Sequence, residues 1–587
     1  MSTAGAYDYD VCVVGMGPTG MTLAHLLGMY GVRVLLLERE PEFYGMARAV
    51  FTDDECLRIM QRAGLADELH ADMLADLPVQ WVAADGSVLG QFADSARDHG
   101  WPSANFLYQP AYESTLEKRL AERETVTVRR GRAVVSFAQD ADGVTVEHVG
   151  CTGAGYGRDE PSLEAGSEES VRVRWLVGAD GGRSVVRTQL GIEMAGRSFP
   201  QRWLVIDLHA RAGRTPFAHL PYFDFVCDPD LPTVSCPQPG GRHRFEFMLH
   251  DDDSTEDFST REVAEDLMAR YVDVEDVVVD RQLVYTFNAL LAERWREGRV
   301  LLAGDAAHMS PQFIGQGMNG GLRDADNLAW KLADVVLRGA DPALLDSYEA
   351  ERRPHIAAMI NLSVFNKDVV SLASPALQRL RTAGMWASAH VPGLKGYVRR
   401  AKMLPEPRLR SGSYVGLARR AGGLRGEEGA LMPQFAVRRL DGTWVRLDDE
   451  VGAGWVVLGI GVDPRPGADA DLWESLGATY ACLHPAGSRP SGRRAERSNP
   501  ADSVADLVAV EAIDEAATRW LSRAGAGLGS VVVLRPDKFV LAVTGAGDLA
   551  TAESYVRAHV LGGQPAVDLA VARRPSLLAR VNARAVR

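Results

Sequence analysis

The sequence predicts an α/β protein: an open, mostly parallel sheet flanked by helices, an antiparallel sheet inserted into it, and a separate α/β unit at the C-terminus. Three observations predict this. The N-terminal segment reads strand, glycine-rich turn, helix, strand. Residues 299 to 334 read strand, turn, glycine-rich loop, long helix. Between about 200 and 288, apolar and polar residues alternate between Pro- and Gly-rich turns.

The first element is Asp10-Val11-Cys12-Val13-Val14, a buried-strand run, followed by Gly15-Met16-Gly17-Pro18-Thr19-Gly20, an apolar helix through Leu23, Leu26 and Leu27, and a strand from Val32 to Leu37. This is the βαβ context in which GxGxxG binds a dinucleotide. Gly15 permits the tight turn, Gly17 lets the backbone approach a pyrophosphate, and Gly20 lets helix and strand pack closely. Glu38 ends the second strand at the spacing expected of a ribose ligand, and Arg39 beside it joins the cofactor-binding candidates.

The other anchor is Gly304 to Asp334. Arg299 to Ala303 reads as a buried strand, and Gly304-Asp305 puts a carboxylate at its carboxyl end, where ligands collect in open α/β sheets. Leu322, Ala325, Leu328, Ala329, Leu332 and Ala333 recur at helical spacing, so Gly315-Gln316-Gly317-Met318-Asn319 falls at a helix N-terminus. Its free N–H groups and positive dipole end suit the anionic edge of a reduced flavin. With the N-terminal fingerprint, this makes FAD the expected cofactor.

Composition fits a large multidomain enzyme. The chain has 587 residues, 46% of them hydrophobic, and a formal charge of -14, which implies neither a nucleic-acid surface nor an anionic membrane partner. No apolar run is long enough to span a bilayer, and MSTAGAYDYD lacks the features of a signal peptide, so a cytoplasmic location is expected. Cys12, Cys56, Cys151, Cys227, Cys236 and Cys482 form no CxxC pair and no metal-ligand cluster. No metal site is expected. Flavin disulfide reductases, which need a close cysteine pair after the first βαβ unit, are excluded.

Between the anchors the pattern to about Val149 reads helix, strand, helix, strand, with Gln109-Pro110 opening a helix through Leu116 and Leu120. Cys151 to Ser170 reads as a surface loop within a hairpin. Val171 to Val177 is a strand ending in the polar turn Gly178 to Ser184. The inserted sheet is expected from Trp203 to Leu208, Tyr222 to Val226, Arg244 to Leu249 and Gln282 to Asn288. Phe223/Phe225 and Phe245/Phe247 each share one face of a strand, so one pair is expected to line an apolar ring pocket and the other to pack in the core.

Several motifs together carry a family resemblance: the GxGxxG loop, Arg48-Ala49-Val50 with Asp53-Asp54-Glu55, Tyr108-Gln109-Pro110, Gly178-Ala179-Asp180-Gly181, Gly304-Asp305-Ala306-Ala307-His308, Gly315 to Asn319, and Tyr348-Glu349-Ala350-Glu351-Arg352-Arg353-Pro354. The chain resembles, to about residue 545, the class A FAD-dependent aromatic hydroxylases. It is most similar to the 3-(3-hydroxyphenyl)propionate hydroxylase type and related polyketide-tailoring hydroxylases. The resemblance implies a glutathione-reductase-type FAD domain (1–190 with 289–400), a substrate sheet domain (191–288, with 75–105 as a candidate addition), a linker at 401–429, a thioredoxin-like domain at 430–545 and an extension at 546–587. It also implies that Asp305 binds the ribityl chain, that Asp180 and Gly181 serve the pyrophosphate and a passing nicotinamide, and that Arg48 and Gln109 hold FAD phosphates and ribityl. Pro311 would place its carbonyl beside the flavin edge. The plainer roles are a surface ion pair for Arg48, a helix cap for Gln109 and strand-end packing for His308, which receives no catalytic role.

The activity implied is NAD(P)H- and O2-dependent: a flavin C4a-hydroperoxide delivers oxygen to a phenolic ring, so the flavin itself carries the hard chemistry. A phenolate is the better donor, and bringing a phenol from about 10 toward 7 requires roughly 4 kcal/mol of preferential stabilisation. Candidate proton acceptors on the inserted sheet are His209, Tyr222 and His243. NADPH or NADH is the expected transient reductant, and a homodimer is the candidate assembly. Competing readings are Baeyer–Villiger oxidation or epoxidation of a polyketide, and a flavin-binding protein without turnover; halogenation is disfavoured, as no Trp-x-Trp-x-Ile-Pro stretch exists. In the C-terminal domain the strands are expected at Phe435 to Leu447, Trp455 to Gly461, Ala478 to Leu483 and Ser530 to Pro536, with a helix near Asp514 to Arg523; the extension beyond 545 is expected to hold a helix at Ala552 to Val560. The dithiol position, Gly461-Val462-Asp463-Pro464, contains no cysteine, so this domain is expected to be redox-inert.

Overall fold

The computed structural model describes residues 7–43, 48–92, 97–152, 162–249, 258, 260–372, 374–391, 405–413, 427–439, 441–484, 507–512 and 515–562. Residues 153–161 of the expected loop at 151–170, much of the expected linker at 401–429 and the end of the tail from 563 lie outside the described residues. The chain forms two compact units, Met1–Leu337 with Tyr348–Pro407, and Arg338–Ser347 with Arg408–Arg587.

In the larger unit the parallel sheet runs Val300–Leu302, Glu169–Gly178, Tyr9–Val14, Val34–Leu37 and Val126–Arg129 in spatial order. The middles of its central strands are apolar runs: Val11, Cys12, Val13 and Leu35 to Leu37 are wholly buried. The helix Pro18–Met29 starts at Gly17 with proline in its first turn and no side-chain cap. It packs against the long helix Gln316–Leu337, and glycine sets the closeness: a Cβ on Gly321 would stand 2.1 Å from Thr19 Oγ1.

The second sheet has eight strands, in the order His308–Met309, Val277–Ala292, Met194–Ala210, Arg242–Met248, Thr233–Gln238, Phe223–Val226, Val79–Val82 and Val88–Phe92. It is antiparallel except where Phe223–Val226 meets Val79–Val82, so residues near 79–92 share a sheet with the inserted segment. Two strands far exceed their expected lengths: Met194–Ala210 and Val277–Ala292 pair with each other from end to end. The sequence hides this because outer residues 195–198 are exposed and break the apolar alternation, while Gly196 at φ +137 admits the carbonyl of Ala289.

One face of this sheet carries Leu204, Ile206, Leu208, Phe245, Phe247 and Leu249 into a core closed by Ala264, Met268 and Val272. Phe245 and Phe247, offered as pocket candidates, are therefore core residues, both at 0% exposure and stacked on each other and near Tyr271.

The smaller unit holds a seven-stranded sheet. Val456–Ile460, Thr479–His484 and Leu507–Ala512 are parallel, flanked by antiparallel strands. The expected strand Phe435 to Leu447 is a hairpin, Ala436–Arg438 and Trp444–Arg446, turned at Gly442 with φ +93. Leu507–Ala512 and Val540–Gly545 escaped the sequence reading, because six-residue apolar runs carry no periodicity to tell strand from buried helix. The helix Ala550–His559, assigned above to an extension beyond 545, belongs to this unit: Glu553 Oε1 accepts from Asp469 N at 2.7 Å and Trp473 Nε1 at 3.0 Å. Among the described residues no helix is long and apolar enough to cross a membrane, and no cluster of side chains suits a metal ion.

Candidate active site

A cavity of about 620 Å³ opens from the carboxyl ends of the parallel strands onto the second sheet. Its floor at one end is the glycine loop. Gly15 lies at φ +101, where a Cβ would meet Ala179 O at 2.5 Å, and a Cβ on Gly20 would meet Gly15 O at 2.0 Å. Gly17 differs: a Cβ there meets nothing within 4 Å, so the space in front of this uncapped helix N-terminus is open. Glu38 ties the loop down, accepting from Met16 N at 2.7 Å and Glu40 N at 2.9 Å. Arg39 pairs with Glu40 at 3.4 Å.

Asp305 and Gly181 line the cavity, as do Gly315, Gly317 and Met318 at the start of the helix Gln316–Leu337. Asp180 stands behind them. Its Oδ2 accepts from Val186 N at 3.1 Å, its Oδ1 is buried with no partner among the described residues, and burial pushes its carboxyl up. Asn319 does not face the cavity; it is fully buried, accepting from Thr52 Oγ1 and donating to Gly315 O, both at 2.9 Å.

Arg48 and Gln109 both reach the cavity wall. The Gln109 carboxamide oxygen accepts from the backbone N–H groups of Arg48 and Ala49, and its nitrogen donates to Glu113 at 2.6 Å. Gln109 thus positions the segment carrying Arg48. Pro311 is buried, and its carbonyl accepts the Ser363 hydroxyl at 2.6 Å. Asn366 similarly holds Phe313 O at 2.8 Å, so Tyr348's helix, Asp346–Val370, fixes the loop before Gly315.

Behind the cofactor end lies a buried charge network that the sequence reading missed. Asp324 accepts from His308 Nε2 at 2.6 Å, Arg352 Nε at 2.9 Å and Gly304 N at 3.1 Å. Burial opposes its charge, but His308 and Arg352 outweigh it and hold the carboxyl low. His308 is the packed residue it was expected to be. Arg323 Nε donates to Glu55 and Nη2 to Asp53, each at 2.6 Å, and Nη1 to Gln316 at 2.8 Å.

At the other end, the second sheet lays two rows of side chains along the cavity. In one row Trp81, Phe225, Val234, Glu246, Val205 and Leu283 are successive cross-strand partners. In the next, Arg244, Asp207 and Arg281 are. One half is aromatic: Trp81 stacks on Phe225 at 5.6 Å, and Phe223 on Phe106 at 5.5 Å. Phe223 and Phe225 are thus the pair that lines the pocket. The other half is ionic. Arg244 forks onto Asp207 at 2.6 and 3.1 Å and donates to Arg48 O at 2.7 Å, while Arg281 reaches the same Asp207 at 2.8 Å.

None of the three expected proton acceptors lines this cavity. His209 is half-exposed and holds Asp280 at 2.7 Å. Tyr222 is 38% exposed, before the strand. His243 is buried against Phe217 and Phe245 with Nε2 on Ser235 Oγ at 2.9 Å, and burial, then His219, lowers it to about 3. Strand parity explains His243: it shares a face with Phe245 and Phe247, whereas Arg244 and Glu246 face the cavity.

The residues present fit FAD. The open space before Gly17, the unpartnered Asp180 Oδ1 and the uninterrupted run from the glycine loop past Asp305 to Gly317 form one cradle. Residues 8–363 match the FAD binding domain family, and 429–559 match the HcaD C-terminal domain. The chain belongs to the FAD binding domain family and is an FAD-dependent monooxygenase. It is 36% identical over 546 residues to a 3-(3-hydroxy-phenyl)propionate/3-hydroxycinnamic acid hydroxylase of Burkholderia cenocepacia, covering 92% of this chain and 95% of the relative. A protein of the same name in Mycolicibacterium smegmatis is also 36% identical, over 92% and 91%. Among solved structures, anhydrotetracycline hydroxylase OxyS from Streptomyces rimosus superposes with a TM-score of 0.70 at 26% identity, over 95% of this chain and all of that one. Aklavinone-11 hydroxylase with FAD and aklavinone shares the fold, with a TM-score of 0.72 at 23% identity, covering 94% and 99%.

Proposed function

We propose that this enzyme uses NAD(P)H and O2 to hydroxylate a phenol bearing a short acidic side chain, of the 3-(3-hydroxyphenyl)propionate type. The observation that carries the reading is the two-sided cavity: an aromatic half beside an ionic half in which two guanidinium groups share one carboxylate, Asp207. The aromatic half suits a ring, by apolar burial and edge or stacked contacts. The guanidinium groups of Arg244 and Arg281 suit the acid.

Gly17, Asp180, Gly181, Asp305 and the N–H groups at Gly315 to Met318 would hold FAD, with Arg48 and Gln109 at its flank. Bound FAD, once reduced by a transient nicotinamide, supplies the oxygen activation that an electron-rich ring needs. The chain's own work is to hold the ring, exclude water and manage the proton of its hydroxyl. We read the C-terminal unit as thioredoxin-like without a dithiol, serving packing or a homodimer, and the protein as cytoplasmic.

The likeness to the anhydrotetracycline hydroxylase favours a second reading, hydroxylation of a polycyclic polyketide. The two separate in one assay. Purified holoenzyme is given NADPH or NADH with a panel of 3-hydroxyphenyl acids and of polycyclic phenols. The expected result is NAD(P)H oxidation stimulated by the former, with a product heavier by one oxygen; stimulation by polycyclic phenols alone would transfer the assignment, and none by either would refute both.

A further inference from the structure

Glu246 occupies a position that no sequence motif marks. It lies on the strand Arg242–Met248, at 5% exposure, on the cavity face between the aromatic and ionic halves. Its Oε2 accepts from Gln312 Nε2, and the carbonyl of the same carboxamide accepts from the hydroxyl of Tyr285. Oε1 has Arg244 Nη1 at 4.0 Å and takes no hydrogen bond among the described residues. Glu246, Gln312 and Tyr285 all line the cavity. One carboxylate oxygen is thus held by a positioned amide while the other is left to the space where a ring hydroxyl would lie.

We propose that Glu246 accepts the proton of the substrate's ring hydroxyl, with Gln312 as its positioning residue; the inference rests on the hydroxylation reading above. In this step the ring O–H bond breaks, an O–H bond forms at Glu246 Oε1, and the electron pair stays on the ring oxygen, where it enriches the ring carbons that receive oxygen. The oxygenated ring carbon then loses its C–H proton to solvent, which restores the aromatic ring, and the carboxyl returns its own proton to the ring oxygen, so Glu246 ends the cycle ionised.

The surroundings suit this task. Facing Glu246 are Arg244 on its own strand, Asp207 on Met194–Ala210, Arg281 and Tyr285 on Val277–Ala292, Cys236 on Thr233–Gln238, and the Gln312 amide. Burial is the largest influence and raises the carboxyl, Arg244 opposes it, Asp207 adds to it, and the result is a group pushed up to about 7. Transfer from a phenol near 10 to such a group is uphill by about three orders of magnitude, against nearly six for an ordinary glutamate. Below about pH 7 the carboxyl is already protonated and cannot accept, so turnover should fall about tenfold per pH unit on the acid side.

The test uses Glu246→Gln holoenzyme with 3-(3-hydroxyphenyl)propionate and ring-fluorinated analogues whose hydroxyls are more acidic. The expected result is unchanged FAD content, KM within about threefold, kcat for oxygenated product down by about 100-fold, and loss of the acid limb. The deficit should shrink to within about tenfold on the most acidic analogue, which needs the base least; a merely structural role would not respond to substrate acidity. Gln312→Ala should keep the acid limb but displace it, with kcat down by about tenfold. The proposal is overturned if Glu246→Gln keeps the acid limb with kcat within threefold, or shows one deficit across all analogues. If Glu246→Gln does not hold FAD, Glu246→Asp decides: a lowered kcat with the limb retained supports the role, and wild-type kcat or a vanished limb contradicts it. Wild-type protein that oxygenates no phenol would instead sink the functional reading.

Discussion

Replacing Gly17 by valine should leave the apoprotein folded and remove most of its affinity for FAD. Gly17 has φ -76 and ψ -178, an extended conformation any residue adopts, and its Cβ would point into open space. The fold should therefore lose no more than about 1 kcal/mol, the cost of a poorer helix N-cap. A branched side chain there occupies the approach of a pyrophosphate to the loop N–H groups. Losing two charge-assisted hydrogen bonds costs at least about 3 kcal/mol, or more than roughly 100-fold in Kd. Gly20→Ala is the contrast, because a Cβ 2.0 Å from Gly15 O damages the loop itself. Thermal unfolding of the apoproteins and FAD titration by flavin fluorescence check both; Gly17→Val protein binding FAD within threefold of wild type would move the pyrophosphate elsewhere.

Arg323→Met should cost about 3–5 kcal/mol of stability at neutral pH, because it strands two buried carboxylates. Asp53 and Glu55 both lean on this guanidinium at 2.6 Å, and the Asp54 carboxyl beside them is already held well above its usual range by burial and by those two neighbours. Burial opposes the charge of Asp53, yet Arg323 and the N–H of Cys56 keep its carboxyl below the ordinary value. Its folded pKa is thus depressed, and the stability it contributes is present above about pH 4 and is lost as pH falls through the folded value. In the variant the Asp53 carboxyl loses the guanidinium that holds it down and titrates higher, so the gap between wild type and variant should narrow on acidification from pH 7 toward about 4. Denaturant unfolding at several pH values measures this. A gap that is small at pH 7, or constant with pH, would show that the cluster does not carry the helix Gln316–Leu337.

The cofactor half of the site was legible in the sequence because it is written in glycines, and glycine is the one residue that φ +101 at Gly15 or a 2.0 Å approach at Gly20 will accept. The substrate half was not, and the reason is specific. Arg242 to Met248 alternates charged with apolar residues, which ordinarily marks a strand with one wet face. Here both faces are buried: Phe245 and Phe247 enter a core, while Arg244 at 1% and Glu246 at 5% exposure line a cavity. Histidine and tyrosine drew attention as proton acceptors by residue type, but parity sends His243 to the apolar side, and His209 and Tyr222 lie outside the cavity. Gln312 and Asp324 carry no local signal, since their roles arise from partners that are 66 and 16 residues away in the chain.

The most direct test of the account supplies the purified yellow enzyme with NAD(P)H, 3-(3-hydroxyphenyl)propionate and oxygen-18 gas, and weighs the product. The expected product carries a single labelled hydroxyl on an intact ring. NAD(P)H consumed with hydrogen peroxide as the only oxygen product, or a label found in a ring-expanded ester, would contradict hydroxylation as the work of this cavity.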